Sequence, residues 1–296
     1  YVDASPLLLG LALGIYGLTQ AVLQIPLGLL SDKIGRRPVI VAGLLMFVLG
    51  SLVAAMADTM IGLVIGRGLQ GMGAIASTLM AMVTDLTSEE KRTVAMASIG
   101  ASIGLSFVLA MIVGPLVAAA LGLSGIFWFT ALLGVAGIMI FLRFVPNVVS
   151  SHRNRETRAD LSQVGSLLRE PALMRLNFGV FALHLALMAA FVVIPDILAN
   201  ELGLGGDQLW WVYLALLGGG FVLMIPAMVL GEKFQRQKLS FCSAVVLLAV
   251  SVLVLGWQRS ALLTPLMLLL FFAAFNLLEA SLPSWLSKAC PAGSRG

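Results

Sequence analysis

The chain has 296 residues, of which 60% are apolar and 11% charged, with a mean hydropathy of +1.04 and a formal charge of +4. Soluble domains carry about 25% charged residues, and a water-soluble chain of this length cannot hide so much apolar surface in one core, so the bilayer has to act as solvent. In hydrocarbon every backbone N–H and C=O needs an internal partner, which leaves helices or a closed barrel; the apolar runs are continuous and about 20 residues long, which excludes alternating barrel strands and fits spanning helices.

Nine apolar spans follow in chain order: 7–30, 38–57, 59–84, 93–121, 124–144, 172–199, 207–230, 238–257 and 260–287. The stretch 93–142 has no charged residue and is too long for one helix, and Gly122-Leu-Ser-Gly125 is its natural break. Residues 146–171 form the only long polar stretch. Within it Asn154-Arg-Glu-Thr-Arg158 gives way to Leu161-Ser-Gln-Val-Gly-Ser-Leu-Leu168, which predicts a short amphipathic helix lying on the membrane surface. The expected organisation is therefore an all-α membrane protein with an N-terminal bundle over 1–145, a linker over 146–171 and a C-terminal bundle over 172–296.

When the loops are assigned to alternating sides, sixteen of the eighteen basic residues fall on one side, among them Lys33, Arg36, Arg37, Lys91, Arg143, Arg175, Lys233 and Arg236. Arg259 alone falls on the other side, and Arg67 lies inside a span. That bias places the basic loops in the cytoplasm, and it accounts for the positive charge without a nucleic acid. The opposite loops carry Asp58, Glu201 and Asp207. Cys242 and Cys290 are far apart, nothing in their placement supports a disulfide, and they read as small apolar membrane residues. His152 and His184 have no cysteine or carboxylate at ligand spacing, so no metal site and no cofactor is expected.

The segment Ile25-Pro-Leu-Gly-Leu-Leu-Ser-Asp-Lys-Ile-Gly-Arg36 returns as Ile225-Pro-Ala-Met-Val-Leu-Gly-Glu-Lys-Phe-Gln-Arg236, an offset of 200 residues. Ile-Pro, an acidic residue, Lys and Arg match in register, and each copy runs from an apolar span into a basic loop. Parallel repeats of helical bundles are a recurring transporter plan. If the repeat holds throughout, one span lies before Tyr1 and two lie after Gly296, making twelve in two sets of six, of which this chain holds the second to the tenth. The first bundle is then expected to leave open the face of its first visible helix that bears Tyr16, Gln20 and Gln24.

Several residues are costly or unusual where they stand. In Gly28-Leu-Leu-Ser-Asp-Lys-Ile-Gly-Arg-Arg37, Gly28 permits close helix approach and Gly35 a tight turn, while Asp32 and Arg36 can bond one another or neighbouring helix ends. An arginine in hydrocarbon, as in Arg67-Gly-Leu-Gln-Gly-Met-Gly-Ala74, faces a cavity or a partner or snorkels to the outer interface some nine residues away at Asp58. Arg67 and Gln70 share a helix face. Tyr16, Gln20 and Gln24 form a polar stripe suited either to lining a cavity or to interhelical hydrogen bonds. Asn276, Glu279 and Pro283 share another face, and Glu279 stands some nine residues inside Lys288. An intramembrane carboxyl group can carry a proton or make a structural hydrogen bond. His184 reads as a packing residue rather than a relay.

These segments resemble signatures of the major facilitator superfamily. Gly28, Asp32, Gly35, Arg36 and Arg37 fill the five marked positions of its cytoplasmic loop motif. Arg67, Gln70, Gly71 and Gly73 resemble its fourth-helix motif, whose arginine the family links to proton coupling. Gly114 and Pro115 match the fifth-helix motif of exporters, although Ala110 and Val117-Ala-Ala-Ala120 stand where glycines are common, which leaves the direction of transport open between a gate and a packing kink. The resemblance also implies a charge relay between Asp85 and Arg36 at an inner gate. Ile15-Tyr-Gly-Leu-Thr-Gln20, Asp85-Leu-Thr87 and Phe275-Asn-Leu-Leu-Glu279 are similar to the YajR-type branch of presumed proton-driven exporters.

The function so implied is proton-coupled efflux of a small, lipophilic molecule across a bacterial inner membrane, by two bundles that expose a central site alternately to each side. Two alternatives remain at this level: an uptake symporter or uniporter for a sugar or metabolite, and a membrane sensor or scaffold built on an idle transporter fold. The expected partners are a small-molecule substrate, protons and membrane lipid, in a monomer. No nucleophile–base constellation or phosphate-binding loop is present, so no enzyme activity is expected.

Overall fold

A computed structural model of the chain describes residues 3, 5–146, 169–204, 208–257 and 260–289. The chain forms two compact units, Tyr1–Ala159 and Asp160–Gly296. The expected amphipathic helix at 161–168 lies outside the described residues.

The first unit contains α1 (Pro6–Ile34), α2 (Arg36–Ala55), α3 (Met60–Met72), α4 (Ala76–Leu86) and α5 (Glu89–Phe144). Pro6 opens α1 with its fixed φ, and the Ser5 hydroxyl accepts the Leu8 N–H at 3.2 Å, a cap whose loss typically costs about 1 kcal/mol. Between α1 and α2 the chain reverses through Gly35 alone, at φ 99°, a backbone region that side-chain-bearing residues avoid. At the start of α3 the Thr59 hydroxyl accepts the Gly62 N–H at 3.1 Å, and both Asp3 carboxylate oxygens lie 3.0 Å from the Met60 N–H.

The α3 helix packs against both α1 and α2, and α2 also packs against α5. The approach of α2 to α3 is close because small residues line it: a Cβ added at Gly50 would stand 2.3 Å from the Gln70 nitrogen. Without a hydrophobic drive between helices in lipid, such backbone proximity is a main source of association.

The second unit contains α6 (Pro171–Leu202), α7 (Leu209–Lys233), α8 (Gln237–Trp257) and α9 (Leu263–Ala289). Residues 271–275 of α9 are all buried. Five consecutive residues go around more than one full turn, so α9 is enclosed on several sides. Its neighbours are α6, α7 and α8, and the core they share includes Leu183, Met224, Ala244, Phe275 and Leu278.

Among the described residues eight stretches are long and apolar enough to cross a membrane: Pro6–Ile34, Arg36–Ala55, Met60–Leu86, Val113–Phe144, Pro171–Asn200, Trp211–Gly231, Gln237–Trp257 and Leu263–Leu282. At α5 the expected spans 93–121 and 124–144 meet at Gly122, whose non-helical backbone (φ 70°, ψ −172°) lies inside the expected tetrapeptide, so α5 is two helices joined at a kink. The expected single span 59–84 is one stretch, Met60–Leu86, whose helix is interrupted at Gly73–Ile75. There Gly73 lies against the Gly43 carbonyl of α2, so close that an added Cβ would stand 2.6 Å from it.

The open face of α1 is also not the expected one. Tyr16, Gln20 and Gln24 are half-buried at its border, while Leu7, Leu11, Leu18, Val22 and Ile25 are exposed. The 200-residue repeat has a backbone counterpart: Gly35 (φ 99°) and Gln235 (φ 53°) occupy equivalent positions, and Gln235 is the only positive-φ residue other than glycine among the described residues. Both copies carry an internal proline, Pro26 in α1 and Pro226 in α7.

Candidate functional site

Three groups of candidate residues emerge, two in the first unit and one in the second. At the α1–α2 turn, the reversal at Gly35 folds the first residue of α2 back onto the last turn of α1. Arg36 Nη1 meets Asp32 Oδ1 at 2.5 Å and donates to the Ser31 hydroxyl at 2.6 Å, while its Nε donates to Asp85 Oδ2 at 3.1 Å. Asp85 sits in the last turn of α4, so one guanidinium joins α1, α2 and α4. The Ser31 hydroxyl, itself buried, donates to the Gly28 carbonyl at 2.6 Å. The Asp85 carboxylate is 38% exposed, and exposed pairs contribute only about 0.2–1 kcal/mol each. The cluster therefore selects a geometry more than it adds stability.

Gly28 lies where α1 meets α4, with Ser77 beside it. Arg37 is not part of this cluster: its Nη1 donates to the Val145 carbonyl at 3.2 Å and its Nη2 to the Leu142 carbonyl at 2.9 Å, at the end of α5. Ser31 carries no signal of its own in the sequence: a serine beside an aspartate is unremarkable, and only the fold, which buries it in the last turn of α1, reveals it as the acceptor for Arg36.

The second group lies within the apolar spans. Arg67 is half-buried and turned toward α1, with its Nε donating to the Ala12 carbonyl at 3.3 Å and its Cζ 4.5 Å from the centre of the Tyr16 ring. Its Nη1 donates to Gln70 Oε1 at 2.8 Å. Gln70 Nε2 then donates to the Ser51 hydroxyl at 2.7 Å, which donates to the Phe47 carbonyl at 2.8 Å. Gln70 and Ser51 are 2% and 0% exposed, so this is a fully paired buried chain, as burial of polar groups demands. Carbonyl, amide and aromatic face together compensate the charge that hydrocarbon would penalise. Tyr16 thus joins Arg67 rather than a separate stripe with Gln20 and Gln24. The Gln24 backbone carbonyl accepts from Ser77 at 2.9 Å. Gly114 and Pro115 are half-buried, and a Cβ at Gly114 would meet nothing within 4 Å among the described residues.

In the second unit, His184 of α6 and Glu279 of α9 meet, with Nε2 3.7 Å from Oε2. The other ring nitrogen, Nδ1, lies 2.9 Å from the Val180 carbonyl. A carbonyl only accepts, so Nδ1 carries the hydrogen and Nε2 is left facing the carboxyl group. The Phe275 ring stands edge-on to the imidazole at 6.3 Å. Both side chains are about half exposed. The packing role expected for His184 is therefore incomplete, because the imidazole also meets the carboxyl group. Asn276 is half-buried one turn before Glu279. Among the described residues no group of three His, Cys, Asp or Glu could hold a metal ion. Cys242 is free and exposed, and Cys290 lies outside the described residues.

The profile of the Major Facilitator Superfamily matches residues 1–296. The chain is 45% identical over 295 residues to the inner membrane transport protein YajR of Escherichia coli K12, covering 99% of this chain and 64% of that protein. It is 27% identical over 298 residues to the multidrug resistance protein MdtH of Aeromonas salmonicida, covering 98% of this chain and 72% of that protein. Among solved structures, a bacterial homolog of the human lysosomal transporter Spinster, inward-facing and occupied, matches with a TM-score of 0.74 at 14% identity, covering 99% of this chain and 69% of that one, a likeness of fold alone. These relatives are transporters, not enzymes. The chain thus spans 64% of the length of YajR. With its apolar helices and a family profile matched from end to end, this polytopic membrane protein belongs to the Major Facilitator Superfamily.

Proposed function

We propose that this chain works in a proton-coupled efflux transporter of the bacterial inner membrane, which exports a small lipophilic molecule by alternating access. The observation that carries the reading is the His184–Glu279 contact, 3.7 Å between titratable side chains on two apolar helices. Intramembrane ionisable pairs of this kind mark ion and proton routes. With Nδ1 directed at the Val180 carbonyl, Nε2 of His184 is the ring atom turned toward the Glu279 carboxyl group, close enough to form an ion pair when the imidazole is protonated. Protonation and substrate binding then compete for one conformational equilibrium, each favouring the state to which it binds more tightly.

The Asp32–Arg36–Asp85 cluster serves as the inner gate, because it ties three helix ends together at the basic side of the chain. Arg67 and Tyr16, both half-buried, form the polar part of the cavity wall in the first unit, with Gln70 buried behind them as the partner of Arg67. Export rather than uptake is favoured by the similarity to a multidrug resistance protein and by the partial exporter motif at Gly114 and Pro115.

The test is proton flux in proteoliposomes containing the full-length protein, with a panel of lipophilic cations and sugars as substrates. Export predicts proton movement opposite to a lipophilic substrate. Sugar and protons moving together would replace it with the symporter reading, and substrate flux indifferent to a pH gradient would remove proton coupling altogether.

A further inference from the structure

The two adjacent arginines at the start of α2 grip different helices by different chemistry. Arg36 holds α1 and α4 through two carboxylates and a hydroxyl. Arg37 holds α5 through two neutral carbonyls, those of Leu142 and Val145. The last carbonyls of a helix lack partners within it, and the planar guanidinium fork supplies one N–H to Leu142 in the last turn of α5 and one to Val145, the residue that caps it. A lysine, with a compact ammonium on a flexible stem, does not reproduce that fork. Beneath the fork, Phe141 lies 6.0 Å from the Arg37 guanidinium and is buried in a small apolar cluster with Ile40 of α2 and Met82 of α4.

We infer that Arg37 is a positioning residue that fastens the last turn of α5 to the first turn of α2, so that the end of α5 follows α2 and not α4 when the Arg36–Asp85 pair separates. The inference rests on the gate reading of Arg36 and Asp85 for its timing. Its substance lies in a difference of chemistry. Carboxylates exchange partners and take up protons, so the contacts of Arg36 are reversible within a transport cycle. Helix-end carbonyls are uncharged, take up no proton and have no partner within their helix, so nothing in the cycle that discharges a carboxylate releases the contacts of Arg37. The first turn of α2 then acts as a hub with one releasable grip and one permanent grip.

The experiment uses the full-length protein in membranes with Val145→Cys as reporter, a half-buried position packed against the Ile40–Met82–Phe141 cluster. In a background with Cys242→Ser and Cys290→Ser, thiol labelling rates are compared for the reporter alone and with Arg37→Ala, Arg37→Lys, Asp85→Asn, and Arg37→Ala plus Asp85→Asn. Arg37→Ala is expected to raise labelling on the order of tenfold, the scale of losing a hydrogen bond to a charged donor. Arg37→Lys is expected to fall between, and to remain informative if the alanine variant does not fold. Asp85→Asn alone is expected to leave the rate near that of the reporter, and the double variant to match Arg37→Ala. Unchanged labelling in both Arg37 variants overturns the inference, as does Asp85→Asn raising the rate as much as Arg37→Ala. Transport measured on Asp85→Asn tests the gate separately: full activity there removes the gate reading while leaving the labelling result to decide on Arg37.

Discussion

His184 and Glu279 stand 95 positions apart in the sequence and face each other across α6 and α9, Nε2 to Oε2 at 3.7 Å. The imidazole is oriented by the Val180 carbonyl behind it, which turns Nε2 toward the carboxyl group. Replacing Glu279 by Gln removes the titrating group but keeps the size and a hydrogen-bonding end. Loss of pH-driven transport in Glu279→Gln, with substrate binding retained, is the expected outcome in proteoliposomes. His184→Gln is expected to keep transport but to displace its pH profile. An unchanged profile in Glu279→Gln would make Glu279 structural and send the search for the coupling group elsewhere.

Asp32→Asn and Asp85→Asn each remove one anionic partner of Arg36. At about 0.2–1 kcal/mol for an exposed pair, either change moves a two-state balance by up to about fivefold. Transport by each variant should slow while membrane insertion and expression stay near wild type. Wild-type transport rates in both variants would rule out the gate.

Gly50→Ala places a methyl group where the Gln70 backbone nitrogen now lies 2.3 Å from the ideal Cβ position. The helices α2 and α3 must separate, stretching the Gln70–Ser51 bond of 2.7 Å. Overpacking of this kind costs about 1–3 kcal/mol, so melting of the detergent-solubilised protein should move to clearly lower temperature. Gly14→Ala is the internal control, since a Cβ there meets nothing within 4 Å. Equal melting temperatures for the two variants would contradict the close α2–α3 packing.

Sidedness has a direct test. The bias of basic residues places 146–171 in the cytoplasm and 203–208 on the opposite face. In a background with Cys242→Ser and Cys290→Ser, impermeant thiol reagents applied to intact cells should therefore label Gly205→Cys and leave Ser151→Cys unlabelled until the membrane is opened. Labelling of both from the same side would invert or break the topology.

Composition and periodicity by themselves determined the class of protein, the approximate spans and the break at Gly122, because each depends on residues close together in the chain. The 200-residue repeat was equally legible, and the backbone repeats the turn at positions 35 and 235 even though glycine in one copy is glutamine in the other. The approach of Asp85 to Arg36 was legible through the family resemblance, not through the residues alone. What the sequence could not supply was the rotation of each helix about its own axis. In lipid the face toward a neighbouring helix and the face toward the bilayer are both apolar, so the hydrophobic stripe that orients a soluble helix is missing. Helix rotation decides that Tyr16 covers Arg67 while Gln20 and Gln24 sit at the border of the packed face, that Gln70 reaches Ser51, and that Arg37 turns from the charged cluster to the end of α5. The interruption at Gly73–Ile75 has the same origin: its glycines lie in an apolar run that reads as continuous, and only the approach of Gly43 from α2 shows where the helix gives way.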